Sequence, residues 1–182
     1  MQEAVLVMGF SSVRSLVLSA GIVHAFPAVP GSRFDRPAYW KRNFRVAAYA
    51  RALAQMLRHD PQMVFTAAMF HEIGQLVLDV CIPEQYAGVL QDQALASHSL
   101  AEVERAQLGF DHAEIGGEVA RHWNFPDEIE HAIRYWAEPE HEPFQAVTGI
   151  VHVAVQLENG LVGEALIRQL PEALCKQLGL SW

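Results

Sequence analysis

Gln62-Met63-Val64-Phe65-Thr66-Ala67-Ala68-Met69-Phe70-His71-Glu72-Ile73-Gly74-Gln75-Leu76-Val77-Leu78-Asp79-Val80 decides how this chain folds. Apolar residues cover it on nearly every side, which predicts one helix over 62–80, placed centrally in a bundle. His71 and Glu72 interrupt that run. A carboxylate without a partner is costly to desolvate, so something must neutralise Glu72. A metal ion is one candidate and an arginine is another, while the plain reading of His71 is a hydrogen-bonded core residue.

Working outward, the same periodicity predicts helix almost everywhere. Ser11-Ser12 after Gly9 opens a helix to about Phe26, with Val13, Leu16, Val17, Ala20 and His24 at helical spacing. A loop over 27–37 follows, and Pro37 suits a first helical turn. The next helix is long, to about Arg58, with Trp40, Phe44, Ala47 and Ala54 on one stripe and Val46, Ala50, Leu53 and Leu57 on another. His59-Asp60-Pro61 ends it. Downstream, Pro83 opens a helix to about Ala96, Ser99-x-x-Glu102 reads as a capping box, and Gly109 is a stop. Asp111-x-x-Glu114 starts another helix, expected to turn Ile115, Val119 and Trp123 inward. Pro126 begins a helix through Ile129, Ala132, Ile133 and Trp136, and 144–158 carries Val147, Ile150, Val151 and Ala154 to a stop at Asn159-Gly160. Two short helices around Pro171 complete the expected fold, which is all-α with no substantial sheet.

Composition narrows the function classes. The chain has 182 residues, 13 Lys+Arg and 21 Asp+Glu, for a net charge of −8. Non-specific nucleic-acid affinity comes mainly from basic residues, so no nucleic-acid partner is expected. The segment from Gly9 and Ser12 resembles a helix-turn-helix, but its reading helix carries only Arg14. Uninterrupted apolar stretches such as 4–10 fall short of the roughly 20 residues of a membrane span, so no transmembrane helix is expected. The first 26 residues lack a basic leader and a small-residue cleavage site, and the two cysteines, Cys81 and Cys175, form no Cys-x-x-C pattern. A cytoplasmic location is the expectation.

Other chemistry has weaker support. No Gly-x-Ser-x-Gly, phosphate loop or dinucleotide fingerprint is present. His112 and His122 are ten residues apart, about 80° around a helix, and share no ligand face. His112, His122, His131 and His141 therefore read as surface histidines, and His152 as a residue at the edge of the core.

The run 69–78, with His71-Glu72 followed by Ile73-Gly74, resembles the signature helix of the HD superfamily, whose members write His-Asp followed by Ile-Gly-Lys. Tyr39-Trp40, the run Gly109-Phe110-Asp111-His112-Ala113-Glu114-Ile115-Gly116, and Trp123-Asn124-Phe125-Pro126 with Ile129 and Ala132-Ile133 are similar to the HDOD family, the HD-related output domains of bacterial signalling proteins. The likeness spans about 2–158. It implies a single HDOD-like domain over 1–182 that lacks the family's leading helices, leaving an apolar face near Val5, Leu6, Leu16 and Val17 for self-association or a signalling protein.

The resemblance also locates a degenerate metal site. It puts Arg42 where catalytic HD phosphohydrolases carry the first His, and Val155 where they carry the last Asp. His71 remains and Glu72 replaces the doublet's Asp. The His-His pair of the related HD-GYP phosphodiesterases falls at Tyr135-Trp136, and no Gly-Tyr-Pro follows. The implied role is therefore a non-catalytic signalling module without a cofactor. The alternative is a metal-dependent phosphohydrolase of a nucleotide or cyclic dinucleotide, with His71 and Glu72 as ligands helped by His112 or His152. Arg42 lies one turn before Val46, on a line continued by Tyr49 and Leu53, and the alignment sets it beside Glu72. Arg42 is therefore expected to occupy the vacated metal position and neutralise that carboxylate.

Overall fold

A computed structural model describes residues 26, 29–95 and 98–180. The expected first helix and the apolar face near Val5, Leu6, Leu16 and Val17 lie outside the described residues. Among those described there is no strand, and ten helices pack as a bundle.

Helix α1 (Arg36–Met56) begins where the Asp35 side chain accepts a hydrogen bond from Ala38 N, with Pro37 in the first turn. Its inner stripe is Tyr39, Asn43, Val46, Ala47, Ala50 and Ala54. Three alanines on that face let neighbouring helices approach closely, so the bulky side chains point elsewhere. Phe44, expected inside, is 39% exposed. Arg58 takes a left-handed conformation, φ 60°, and His59 N–H returns to the Ala54 carbonyl at 2.9 Å. The Asp60 carboxylate then caps α2 (Pro61–Phe70) through Gln62 N and Met63 N.

The single helix expected over 62–80 is broken. Residues 71–72 form a turn, Glu72 leaves helical geometry at φ −111° and ψ 19°, and α3 (Ile73–Cys81) starts afresh. The reason lies in Gly74. A Cβ there would fall 1.9 Å from the His112 carbonyl oxygen, so the start of α3 presses directly on the backbone of another helix. A straight continuation of α2 is thus replaced by a kink that seats α3 against α6 (His112–His122).

Helix α4 (Pro83–Leu95) precedes α5 (Leu100–Leu108), which has the expected capping box: Ser99 and Glu102 each bond the other's backbone N–H, and Gly109 closes the helix at φ 84°. Asp111 caps α6 through Glu114 N at 2.9 Å. The inward face of α6 is not the expected one. Its buried residues are His112, Ala113, Gly116, Gly117 and Ala120, while Ile115 and Val119 are half-buried and Trp123 is 37% exposed. Close approach decides this: a Cβ on Gly116 would meet Ile133 Cγ2 at 2.9 Å, and one on Gly117 would meet the Arg134 guanidinium at 2.6 Å.

Helix α7 (Asp127–Tyr135) buries Ile129, Ala132 and Ile133, and α8 (Ala146–Glu158) is buried along most of its length. Helices α9 (Gly163–Gln169) and α10 (Glu172–Leu178) place Leu166 and Leu174 on the core. Phe70, Ile73 and Leu76 sit at its centre, and full burial of each side chain contributes on the order of 1.5–3 kcal/mol. A smaller cluster joins Leu78, Tyr86, Val89 and Val103. Taken together, α2 and α3 over Pro61–Cys81 are long and apolar enough to cross a membrane by length and composition alone. An 18-residue window of this stretch is 72% buried inside the bundle, and packing accounts for its hydropathy.

Candidate functional site

The kink between α2 and α3 carries the two residues that stood out in the sequence. His71 is fully buried, and its Nδ1 donates to the Ala68 carbonyl at 2.7 Å. A carbonyl only accepts, so the proton sits on Nδ1 and Nε2 is a lone pair, which has no partner. The ring stands edge-on to Trp136, 5.0 Å between centroids. Burial pushes the imidazole down to about 4, more than the nearby Glu72 raises it, so His71 is neutral at physiological pH.

Glu72 is 8% exposed, and Arg42 Nη1 of α1 lies 2.7 Å from its Oε1. The counter-charge required by the sequence argument is therefore an arginine. Burial works to raise the Glu72 carboxyl, but the surrounding His71, Arg42 and His112 outweigh it and hold the group below the usual carboxylate range. With His71 neutral, the guanidinium is the fixed charge in that set. Arg42 Nη2 also reaches Asn159 Oδ1, 3.4 Å away at the end of α8. Tyr39, buried on α1, has its phenol pushed well up, by burial first and then by Glu72, with Arg42 opposing. Val155, the apolar occupant of the last ligand position, is buried in α8.

The other candidates divide. His152 Nδ1 donates to the Trp136 carbonyl at 2.9 Å, its Nε2 accepts from Gln156, and burial lowers its pKa: a core-edge histidine, as expected. Tyr135 stacks on His141 with centroids 3.7 Å apart. His122 is exposed and His131 half-buried, with Nδ1 2.8 Å from Thr148 Oγ1. His112, expected at the surface, is only 4% exposed. Its backbone N–H and its Nδ1 both donate to Glu104 Oε2, at 2.9 and 2.6 Å, and Tyr86 OH donates to Glu104 Oε1 at 3.2 Å. Burial disfavours the imidazolium, yet the Glu104 hydrogen bond and charge, with Glu72 and Asp111, raise the His112 pKa above its ordinary value.

Glu104 escaped the sequence reading, although a signal was present. It lies four residues from both Leu100 and Leu108, in the middle of an apolar stripe, where a carboxylate needs a buried partner.

A metal ion does not fit this donor set. Glu72 is already neutralised by Arg42, and among the described residues no three His, Cys, Asp or Glu side chains are arranged to hold an ion. Both cysteines are free thiols, Cys81 exposed and Cys175 packed beside the core.

A bundle with no strand among the described residues, whose His-carboxylate doublet sits at a kink between two core helices, is an HD-type fold. The chain belongs to the HDOD domain family, whose profile matches residues 1–139. Among solved structures it is similar to a candidate phosphohydrolase of Shewanella amazonensis SB2B, with 28% identity and a TM-score of 0.78, covering 98% of this chain and 64% of that one. It also resembles an HDOD domain protein of unknown function from Geobacter sulfurreducens, at 21% identity and TM-score 0.77, covering 86% and 53%. A candidate signal transduction protein of Marinobacter aquaeolei VT8 shares 24% identity at TM-score 0.74, covering 96% and 40%. These last two likenesses speak to fold alone. An uncharacterized protein of Treponema pallidum (strain Nichols) is 24% identical over 176 residues, which is 94% of this chain and 34% of that protein. The chain thus spans about a third of that relative and less than two thirds of the three structures.

Proposed function

We propose that this chain is a non-catalytic signal-transduction module that works by protein contact, on an HD scaffold whose metal position is taken by an arginine. The observation that carries this reading is the ion pair of Arg42 Nη1 with Glu72 Oε1 at 2.7 Å. Hydrolysis of a phosphoester in an HD fold needs an ion to activate water, and here the carboxylate that would hold it is matched to a side chain of the protein itself. Membership of the HDOD domain family agrees with the reading. A cytoplasmic location is part of the proposal, consistent with Cys81 and Cys175 as free thiols.

The phosphohydrolase reading draws on the description of the Shewanella protein, which is 28% identical. Metal analysis of protein purified without chelator, together with assays on a chromogenic phosphodiester and on cyclic dinucleotides, separates the two. The signalling reading expects substoichiometric metal and no turnover above buffer. About one tightly bound transition ion per chain, with metal-dependent turnover, would overturn it.

A further inference from the structure

Helices α4 and α5 differ from the rest of the bundle in what holds them. The principal core gathers side chains of α1, α2, α7 and α8 with Ile73 and Leu76 of α3, and no apolar side chain of α4 or α5 belongs to it. Theirs form the smaller cluster, where Tyr86, Val89 and Val103 are buried with Leu78 of α3, and Leu108, Phe110 and Ile115 pack around them. Gln107 Nε2 donates to Asp92 Oδ2 at 2.7 Å and ties α5 to α4. The two helices therefore cohere with each other through contacts that the main core does not share.

Their joint to the bundle is polar. Fully buried Glu104 of α5 accepts Tyr86 OH of α4 on one oxygen and both the backbone N–H and Nδ1 of His112 on the other. His112 N–H stands in the first turn of α6, where a helix supplies no acceptor, so Glu104 is its partner. When such a joint parts, water replaces each hydrogen bond and the carboxylate regains its hydration, at less cost than separating apolar packing. The ties of Arg33 to Gln91 and of Arg105 to Asp111 and Glu138 involve exposed groups and add little. The connections suit a hinge as well. Ile82 alone, at φ −136° and ψ 53°, separates α3 from α4, and Pro83 follows it without a backbone N–H. Gly109, at φ 84°, begins the link from α5 to α6.

We propose that α4 and α5 open as one unit about Ile82 and Gly109, a cover beside the kink that Glu104 bolts shut on His112. A cleft of about 670 Å³ already runs between the first turn of α5 and the wall that carries Glu72, His112 and Trp136. Opening breaks the bolt, widens this cleft and bares His112, which is 4% exposed in the closed form. The device goes beyond the signalling role and stands without it, since it requires neither a partner nor a reaction.

Native-state hydrogen exchange on the full chain, read residue by residue by NMR in low urea, tests it. The expected result is one shared opening of α4 and α5, with exchange about tenfold or more faster than for the amides of α2 and α8 that only global unfolding exposes. His112 N–H should follow that opening although it belongs to α6, whereas Ala120 N–H follows the bundle. Two variants separate the cover from the core. Glu104→Gln weakens the closed form and should speed exchange of α4, α5 and His112 N–H about fivefold or more. Ile150→Val, fully buried in α8, should speed α2 and α8 about fivefold and leave the α4 and α5 opening unchanged, because that core stays packed in the open form. The wild type and the mild Ile150→Val keep the test readable if the Glu104 variant does not fold. Exchange of α4 and α5 only together with α2 and α8, equal acceleration of all four by Ile150→Val, or His112 N–H keeping pace with Ala120 would each overturn the proposal, as would unchanged exchange of α4 and α5 in Glu104→Gln.

Discussion

His71 is buried as a neutral ring, with its pKa near 4 against an ordinary 6.5, and this ties stability to pH. The unfolded chain takes up the proton near 6.5 and the folded chain only near 4. The contribution of the neutral ring is therefore fully present above about pH 6.5 and is lost as pH falls toward 4, by up to roughly 3 kcal/mol. His71→Gln keeps an N–H for the Ala68 carbonyl and does not titrate. Urea unfolding at about pH 7.5 and 4.5 should show the wild type losing roughly 2 kcal/mol more than the variant over that interval; equal losses would show that the ring does not titrate as its burial dictates. At this scale the need for a partner at Glu72 was legible, because a carboxylate stood in an apolar run. His112 was not, since its burial comes from Glu104 across the Gly109 turn and from the approach of Gly74, neither of which its own neighbours in sequence reveal.

The kink between α2 and α3 is set by another element. Gly74 admits the His112 carbonyl, and a methyl group in its place would overlap a backbone oxygen that cannot swing aside. Gly74→Ala should cost about 3 kcal/mol or more and weaken the contact of α3 with α6. Gly88 is the internal control: it lies in α4 with open space where a Cβ would go, so Gly88→Ala should stabilise by about 0.5–1 kcal/mol. Chemical denaturation of both variants checks the pair, and a mild effect at Gly74 would mean that the helices do not meet there. Helix ends at Ser99, Gly109 and Asp111 were readable because caps are local chemistry. The break at 71–72 and the inward face of α6 were hidden, because small residues, not apolar periodicity, decide which helices touch.

Across the whole molecule, the described helices arrange α1, α2 and α8 around one core and bring Arg42 from α1 to the kink at Glu72. The bundle and its family were legible from apolar stripes and a few spaced motifs, whereas a cavity of about 670 Å³ beside the kink, with Glu72, His112 and Trp136 among its walls, was not, being assembled from α5, α6 and α7 together. The central claim is that an internal guanidinium does the neutralising work of an ion. The Arg42 side chain is 30% exposed and that of Glu72 10%, so the two single changes should differ. Arg42→Met strands a buried carboxylate and should cost roughly 3 kcal/mol, while Glu72→Leu leaves a guanidinium that can turn to solvent and should cost less. The most direct measurement is a double-mutant cycle on Arg42→Met and Glu72→Leu by equilibrium unfolding at neutral pH. A coupling of about 1 kcal/mol or more, with the double variant recovering most of the loss seen in Arg42→Met, is the predicted result; additive effects with no coupling would contradict the account.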